Sequence, residues 1–174
     1  MIQAAADLVL VALVCAAAWW DLTAHRIPNT LTVTGLAAAF LLRAPLGPEA
    51  LVRGLAGLGI ALLIAVVLYA IRAIGGGDVK LLAGVGAFLG SSEILGALGL
   101  IAVLGAAFAL LSVIRRGVLP LLLVNTLELV RSWRNMGRNS AAPRLGTPGA
   151  LTVPYGAPIA LGTLIWWFGN GVRL

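Results

Sequence analysis

The stretch 72-RAIGGGDVKLLA-83 places three glycines, a carboxylate and a lysine between long apolar sequences. Glycine allows positive φ angles and lets another chain approach the backbone closely. A carboxylate is costly to hold within apolar sequence of this kind, so such a group is a candidate functional site whose partner must be found. Asp78 therefore directs attention to the other acidic residues of the chain.

The composition is that of an integral membrane protein. Of the 174 residues, 61% are hydrophobic and 10% are charged, whereas about 25% of the residues of an ordinary soluble domain are charged. Several apolar runs approach the ~20 residues that a membrane-spanning helix requires. Because the alternating pattern of a β-barrel is absent, the predicted fold class is all-α, a polytopic membrane protein.

The net charge of +6 does not by itself indicate a nucleic-acid-binding protein. No basic stripe with interleaved aromatic residues indicates nucleic-acid binding, and the excess of Lys and Arg is typical of cytoplasmic loops. The single cysteine, Cys15, cannot form an internal disulfide or a Cys-x-x-Cys metal site. No cluster of His, Cys and carboxylate residues suggests zinc. We therefore expect no cofactor, no metal and no nucleic-acid partner; the lipid bilayer is the expected surrounding.

Six transmembrane helices are predicted in a single domain that covers residues 1–174. They run over about residues 4–21, 30–43, 51–72, 79–90, 94–114 and 151–168. The polar connection 115–149 is predicted to be a cytoplasmic loop with an interfacial helix at 119–133, since polar residues interrupt its apolar sequence. Pairs of small residues at 54 and 57, 86 and 90, and 96 and 99 indicate close helix packing.

The positive-inside rule orients these helices. Three of the twelve Lys and Arg residues, Arg43, Arg53 and Arg173, fall on one side, and the other nine fall on the side taken as cytoplasmic. Asp21 and Asp78 are then both at the cytoplasmic face. At 1.5 Å per residue the fourth helix is only about 18 Å long, which is shorter than the ~30 Å hydrocarbon core. Its start should therefore be recessed into a water-accessible cleft.

Asp21 and Asp78 are the only two of the six acidic residues predicted at one membrane face beside short helices and turn-forming residues. Two carboxylates that share a site hold one proton between them, and such a pair can activate water and protonate a leaving amine. Spacing alone leaves a second interpretation open, in which both are solvated helix caps. His25 is the only histidine. A serine or cysteine protease of the usual kind would need this histidine beside a nucleophile, and this requirement excludes most such alternatives.

Three motifs resemble the signatures of type IV prepilin peptidases, which are polytopic GxGD-type aspartic proteases of the inner membrane. They are Ile27-Pro28-Asn29 shortly after Asp21, the glycine-aspartate motif at 75–83, and Pro154-Tyr-Gly-Ala-Pro158. The resemblance covers residues 19–160. It implies that Asp21 and Asp78 are the catalytic pair of a transmembrane peptidase domain.

The resemblance implies an aspartic endopeptidase of the bacterial inner membrane. Such enzymes remove short basic leaders from pilin-like precursors, on the cytoplasmic side of a hydrophobic segment and after a glycine. Larger similar proteins add a cytoplasmic domain with paired cysteines and N-methyltransferase activity, and this sequence shows neither. Peptidase activity without methylation is therefore expected, as in the short branch associated with tight-adherence (Flp-type) pili. Archaeal preflagellin peptidases are also similar, so a flagellin-like substrate stays open.

Two other function classes remain as alternatives. A non-catalytic membrane component of a pilus or secretion assembly machine would keep the helices but not the activity of the pair. A small carrier that uses the carboxylates for proton coupling would show repeat symmetry between halves, which is not evident here.

The residues around the pair are expected to contact the substrate or to form the loop. The glycines Gly75, Gly76 and Gly77 are expected to admit the substrate backbone or to form a simple turn. Lys80 is expected to attract substrate or to hold Asp78. The alternative is that it is an ordinary basic residue of a cytoplasmic loop.

The positions of the two carboxyl groups at helix ends predict which of them holds the shared proton. Asp21 at a helix C-terminus is expected to hold the proton, and Asp78 at a helix N-terminus is expected to be the base. Pro28 and Asn29 are expected to shape the loop, with Asn29 capping the second helix.

Overall fold

The computed structural model describes residues 1–71, 73–115 and 155–174. These residues form α1 (Ile2–Ala24), α2 (Asn29–Arg43), α3 (Pro48–Ala70), α4 (Gly76–Arg115) and α5 (Gly156–Gly169), with a 3-10 turn at Ala44–Leu46. No strand occurs in these ranges, which confirms the all-α prediction. Met1–Gly105 and Pro154–Leu174 make one compact unit, and of the second unit, Ala106–Val153, only 106–115 is described.

Three of the described helices are long and apolar enough to cross a membrane. They are Ile2–Ala24, Pro48–Ala70 and Gly76–Ser112, with mean hydropathies of 2.0, 2.5 and 2.6. Large apolar side chains on their surfaces are exposed, as at Leu8 and Leu63. The chain is therefore a membrane protein. Six spans are not confirmed, because α2 and α5, at 15 and 14 residues, reach only about 22 Å.

The predicted break between the fourth and fifth helices lies within α4. The sequence predicts two helices separated by a stop at residues 91–93, and the structure interrupts the helix one residue earlier, at Gly90, whose φ and ψ of 77° and 176° are not helical. Only glycine adopts such a conformation readily. Ser91, Ser92 and Glu93 are helical, because small hydroxyl and acidic residues also suit the first turn of a new helix. We call residues 76–89 the N-terminal arm of α4 and residues 91–115 its C-terminal arm.

The N-terminal arm is the centre of the first unit. Every residue from 81 to 90 is buried, which is expected of a helix that is apolar on all sides and packed among other helices. Its close neighbour is α3, where Gly57 and Gly86 bring the two backbones into contact, so that a Cβ on either would strike the other's carbonyl oxygen. This confirms close packing at these two of the predicted small-residue positions. Gly99, by contrast, faces open space.

Gly57→Leu is expected to lower the free energy of unfolding by about 3 kcal/mol, since added side-chain atoms would meet backbone that cannot yield. The matched control is Gly59→Leu on the same helix, because a Cβ at Gly59 meets nothing within 4 Å. Denaturant unfolding of both variants in detergent measures the difference. Equal stability of the two variants would contradict the packing described for α3 and the N-terminal arm.

A buried arginine of α2 contacts the C-terminal end of the N-terminal arm. The Arg43 guanidinium, 1% exposed, donates to the carbonyl oxygens of Ala87 and Phe88 at 2.8 Å and of Ala50 at 3.0 Å. It thereby satisfies carbonyl groups that the kink at Gly90 leaves without helical partners. Arg43 was counted among the basic residues of a loop on the outer side, but its side chain is buried in the bundle.

The two ends of the first unit are tied together through α1 and α5. The Trp167 indole donates to Asp7 Oδ1 at 2.8 Å, and the Gln3 amide donates to the same oxygen at 3.0 Å. Gln3 also bonds the backbone of Val172 and Leu174. Asp7 is thus a structural acceptor within the bundle.

Several predicted features lie outside the described residues. They include the loop at 116–149 with its interfacial helix at 119–133, and Pro154 at the start of the last motif. The last helix, predicted from residue 151, begins in the described part of the chain at Gly156. Pro158 is accommodated in its first turn, where a missing N–H leaves no helical bond unmade.

Candidate active site

A cavity of about 650 Å³ lies where α1 ends and where α2 and α4 begin. It is lined by Trp20, Asp21, residues 24–29 and residues 75–78. Asp21 and Asp78 are the only carboxylates among these lining residues. The cavity therefore joins two of the three motifs that the sequence singled out.

Asp21 lies in the last turn of α1 and is 8% exposed. The helix ends at Ala24, and the capping residue His25 adopts a left-handed conformation with φ 50°. Both the His25 N–H and its ring Nδ1 contact the Asp21 carbonyl oxygen. The Asp21 carboxylate instead accepts a hydrogen bond from the Gly156 N–H, with Oδ2 at 2.7 Å. The first turn of α5 thus holds the carboxylate in place, and His25 does not.

Asp78 lies in the first turn of α4 and is also 8% exposed. Its Oδ2 accepts a hydrogen bond from the Gly75 N–H at 3.0 Å. Gly75 caps the helix, and its carbonyl oxygen receives the first helical bond from Val79. A carboxylate three residues into a helix that reaches back to the capping N–H is half of a capping box. Asp78 is therefore a cap, as the alternative interpretation held, but a buried one that faces a cavity shared with Asp21.

The hydrogen bonds do not distinguish the two carboxylates. Each accepts one bond from a backbone N–H and uses Oδ2 for it, so the oxygen Oδ1 of each is not used by these bonds. The assignment of the shared proton to Asp21 therefore stays a prediction from the helix ends.

The three glycines line the cavity without unusual backbone geometry. None of them has a positive φ, so the conformational reason that the sequence suggested is not used. Gly75 and Gly76 are exposed, and a Cβ on Gly76 would come no closer to a neighbouring side chain than 3.7 Å. Gly77 packs near Ile27, whose Cβ would lie 3.2 Å from an added Cβ. Open backbone beside two carboxylates is a surface that a peptide can approach.

Lys80 and Asn29 form a contact that differs from the predicted roles. The Lys80 ammonium donates to Asn29 Oδ1 at 2.7 Å and so ties the start of α4 to the start of α2. Within the described ranges no ion pair joins Lys80 to Asp78, so the expectation that it holds Asp78 is wrong. Asn29 does not cap α2 either, because Pro28 occupies the capping position and Asn29 is the first helical residue. Asn29 lines the cavity, and Lys80 contacts this wall through its bond to Asn29.

Gly156 and Trp20 are site residues that sequence reasoning missed. Gly156 stands in the third motif, but its sequence gives no sign that its N–H points at Asp21 across 135 positions. A Cβ on Gly156 would lie 2.8 Å from the Asp21 Cβ, which explains why a glycine stands there. The structure places Trp20 in the cavity wall, a position that the local sequence does not indicate.

The arrangement can polarise a carbonyl group and deprotonate water. Two carboxylates in a partly closed cavity have the groups needed for general acid and general base catalysis. Among the described residues, no group of three or more His, Cys, Asp and Glu side chains could hold a metal ion.

Comparison with known proteins gives one match. A family model described as the type IV leader peptidase family matches residues 8–110, a range that contains Asp21 and Asp78 and ends before the third motif. No curated protein matches the chain, and no solved structure matches it.

Proposed function

Because the chain belongs to the type IV leader peptidase family, we propose that it is an aspartic endopeptidase with Asp21 and Asp78 as the catalytic pair. The observation that carries the proposal is the meeting of these two buried carboxylates in one cavity, although they come from different helices. Independent caps would have no reason to face the same space. Family membership supports a protease in general, and the cavity supports this particular pair.

The proposed mechanism uses one water molecule between the carboxylates. The Asp78 carboxylate takes a proton from the water as its oxygen attacks the scissile carbonyl carbon, and the Asp21 carboxyl group donates its proton to the carbonyl oxygen. When the tetrahedral diol collapses, Asp78 gives its proton to the leaving amine and Asp21 takes a proton back from a diol hydroxyl, so that both carboxyl groups return to their starting states. The Gly75 and Gly156 N–H groups keep the two carboxylates oriented throughout.

The proposed substrates are pilin-like precursors with short basic leaders. Cleavage would occur after a glycine, at the cytoplasmic side of a hydrophobic segment and in the bacterial inner membrane. The sidedness rests on the nine of twelve basic residues that the positive-inside rule assigns to the cytoplasm. We also propose that the mature product is not N-methylated, because the chain has one cysteine and no paired-cysteine segment.

Co-expression tests the proposal. The full chain is produced together with candidate precursors that carry Lys- and Arg-rich leaders, and the mass of each product is measured. The expected result is removal of the leader and a free, unmethylated N-terminal amine. A chain that leaves every pilin-like precursor intact would support a non-catalytic assembly component instead. A product heavier by one methyl group would contradict the absence of methylation.

Gly76→Ala separates a substrate role of the glycines from a turn role. The added methyl group has room in the folded protein, and alanine in a helical first turn is expected to stabilise the chain by about 0.5 kcal/mol. If the substrate backbone approaches Gly76, cleavage should fall about 10-fold, since overpacking costs of order 1–3 kcal/mol. Unfolding and cleavage rates are measured on the same preparation. Unchanged cleavage would leave Gly76 as a turn residue only.

A further inference from the structure

A second cavity lies between α1 and α2. This α1/α2 groove has a volume of about 380 Å³. We define it by Val9, Ala12 and Ala16 of α1 and by Leu31, Thr34 and Ala38 of α2. No charged side chain lines it. The Thr34 hydroxyl is already bonded to the Thr30 carbonyl oxygen at 2.8 Å, so the groove presents an apolar wall without an unmet polar group.

The groove and the catalytic cavity are lined by neighbouring parts of α1 and α2. Trp20 lies one turn beyond Ala16 on the same face of α1, is 47% exposed and lines the cavity. On α2, Leu31 follows Asn29, another lining residue of the cavity, by two positions. From Ala16 to Asp21 the rise along α1 is about 7.5 Å. A chain whose scissile bond lies at Asp21 and Asp78 can therefore continue directly into the groove.

The part of a peptide chain that lies in the groove must be helical. Whatever leaves the cavity along α1 enters apolar surroundings, where an extended peptide would have unsatisfied backbone groups. The small side chains of Ala12, Ala16 and Ala38 let a helix backbone approach closely, which is the way helices associate in lipid. From Val9 to Asp21 the rise is about 18 Å, enough for about 12 residues of an antiparallel helix.

We propose that the α1/α2 groove binds the hydrophobic helix of the precursor, over the first ~12 residues after the scissile bond. The proposal rests on the proposed function, since it places the substrate by its cleavage site. It assigns α1 and α2 a role in selecting precursors by their apolar segment, beside the role of α1 and α4 in chemistry.

Cysteine cross-linking tests the groove without requiring catalysis. In the Cys15→Ser chain, a single cysteine is introduced as Ala16→Cys or Ala38→Cys, and the matched control is Ala56→Cys, an exposed alanine of α3. The partner is a precursor with one cysteine 5 to 12 residues after the scissile glycine. A precursor adduct at the two groove positions and none at the α3 position is expected. Equal adducts at all three positions, or enzyme–enzyme adducts that indicate a second copy, would overturn the proposal.

A kinetic test separates the groove from the chemistry. Ala38→Leu is expected to lower about 10-fold the ratio of kcat/KM for the full precursor to kcat/KM for a short peptide that lacks the apolar segment. The control Ala56→Leu should leave that ratio unchanged. An unchanged ratio for Ala38→Leu, with wild type active, overturns the groove and keeps the proposed function. If the wild type cleaves nothing, the proposed function fails, and the cross-linking result alone decides whether the groove binds the precursor.

Discussion

Asp21→Asn and Asp78→Asn are each expected to lower the cleavage rate by about 10³-fold or more, because loss of a general acid or base costs 10²–10⁴. Each substitution keeps the size of the side chain and an oxygen that can accept the N–H bond from Gly156 or Gly75. The fold should therefore be retained while the proton transfer is lost. Cleavage of a co-expressed precursor, quantified against the amount of folded enzyme, measures the effect.

The control for this pair is Glu49→Gln. Glu49 is an exposed carboxylate in the first turn of α3, and it does not line the catalytic cavity. Its replacement should leave cleavage unchanged. The double variant Asp21→Asn with Asp78→Asn is expected to be no slower than either single variant, since groups that act as one unit are not additive. Multiplied losses would show that the two carboxylates act separately.

Gly156→Ala is expected to lower cleavage about 100-fold, because a catalytic group displaced by about 1 Å can cost that much. The added Cβ would lie 2.8 Å from the Asp21 Cβ and 3.0 Å from its Oδ2, so the Asp21 side chain or the start of α5 must shift. The measurement is kcat/KM together with the unfolding midpoint of the purified variant.

The matched control is Gly169→Ala at the other end of α5, where a Cβ meets nothing within 4 Å. It should be as active as the wild type. Full activity of Gly156→Ala would mean that the hydrogen bond from Gly156 to Asp21 does not position the carboxylate during catalysis. A loss of folded protein in place of activity would assign Gly156 to packing.

The sequence predicted the features that depend on local pattern and on charge. Apolar runs placed the helices, with α3 shifted by only a few residues, and the polar residues 91–93 predicted a break that the structure has one residue earlier, at Gly90. The distribution of Lys and Arg put Asp21 and Asp78 on one side, which is the condition for the shared cavity that the structure shows. The resemblance to leader peptidases is confirmed by the family match over residues 8–110.

The sequence did not predict the contacts between groups that are far apart in the chain. Lys80 had a carboxylate two residues away but bonds Asn29, 51 positions earlier. Arg43 has the charge of a loop residue, yet the carbonyl groups freed by the kink at Gly90 hold it inside the bundle. The bond from Gly156 to Asp21 depends on the position of α5, which no local pattern specifies.

The central claim is that Asp21 and Asp78 together cut a leader from a membrane-inserted precursor. The direct measurement uses purified full-length chain and one precursor in the same proteoliposomes, with the released leader identified by mass. The wild type and Glu49→Gln are predicted to release the leader, and Asp21→Asn and Asp78→Asn are predicted to release none above background. Release of the same leader by wild type and by both aspartate variants at similar rates would contradict the account.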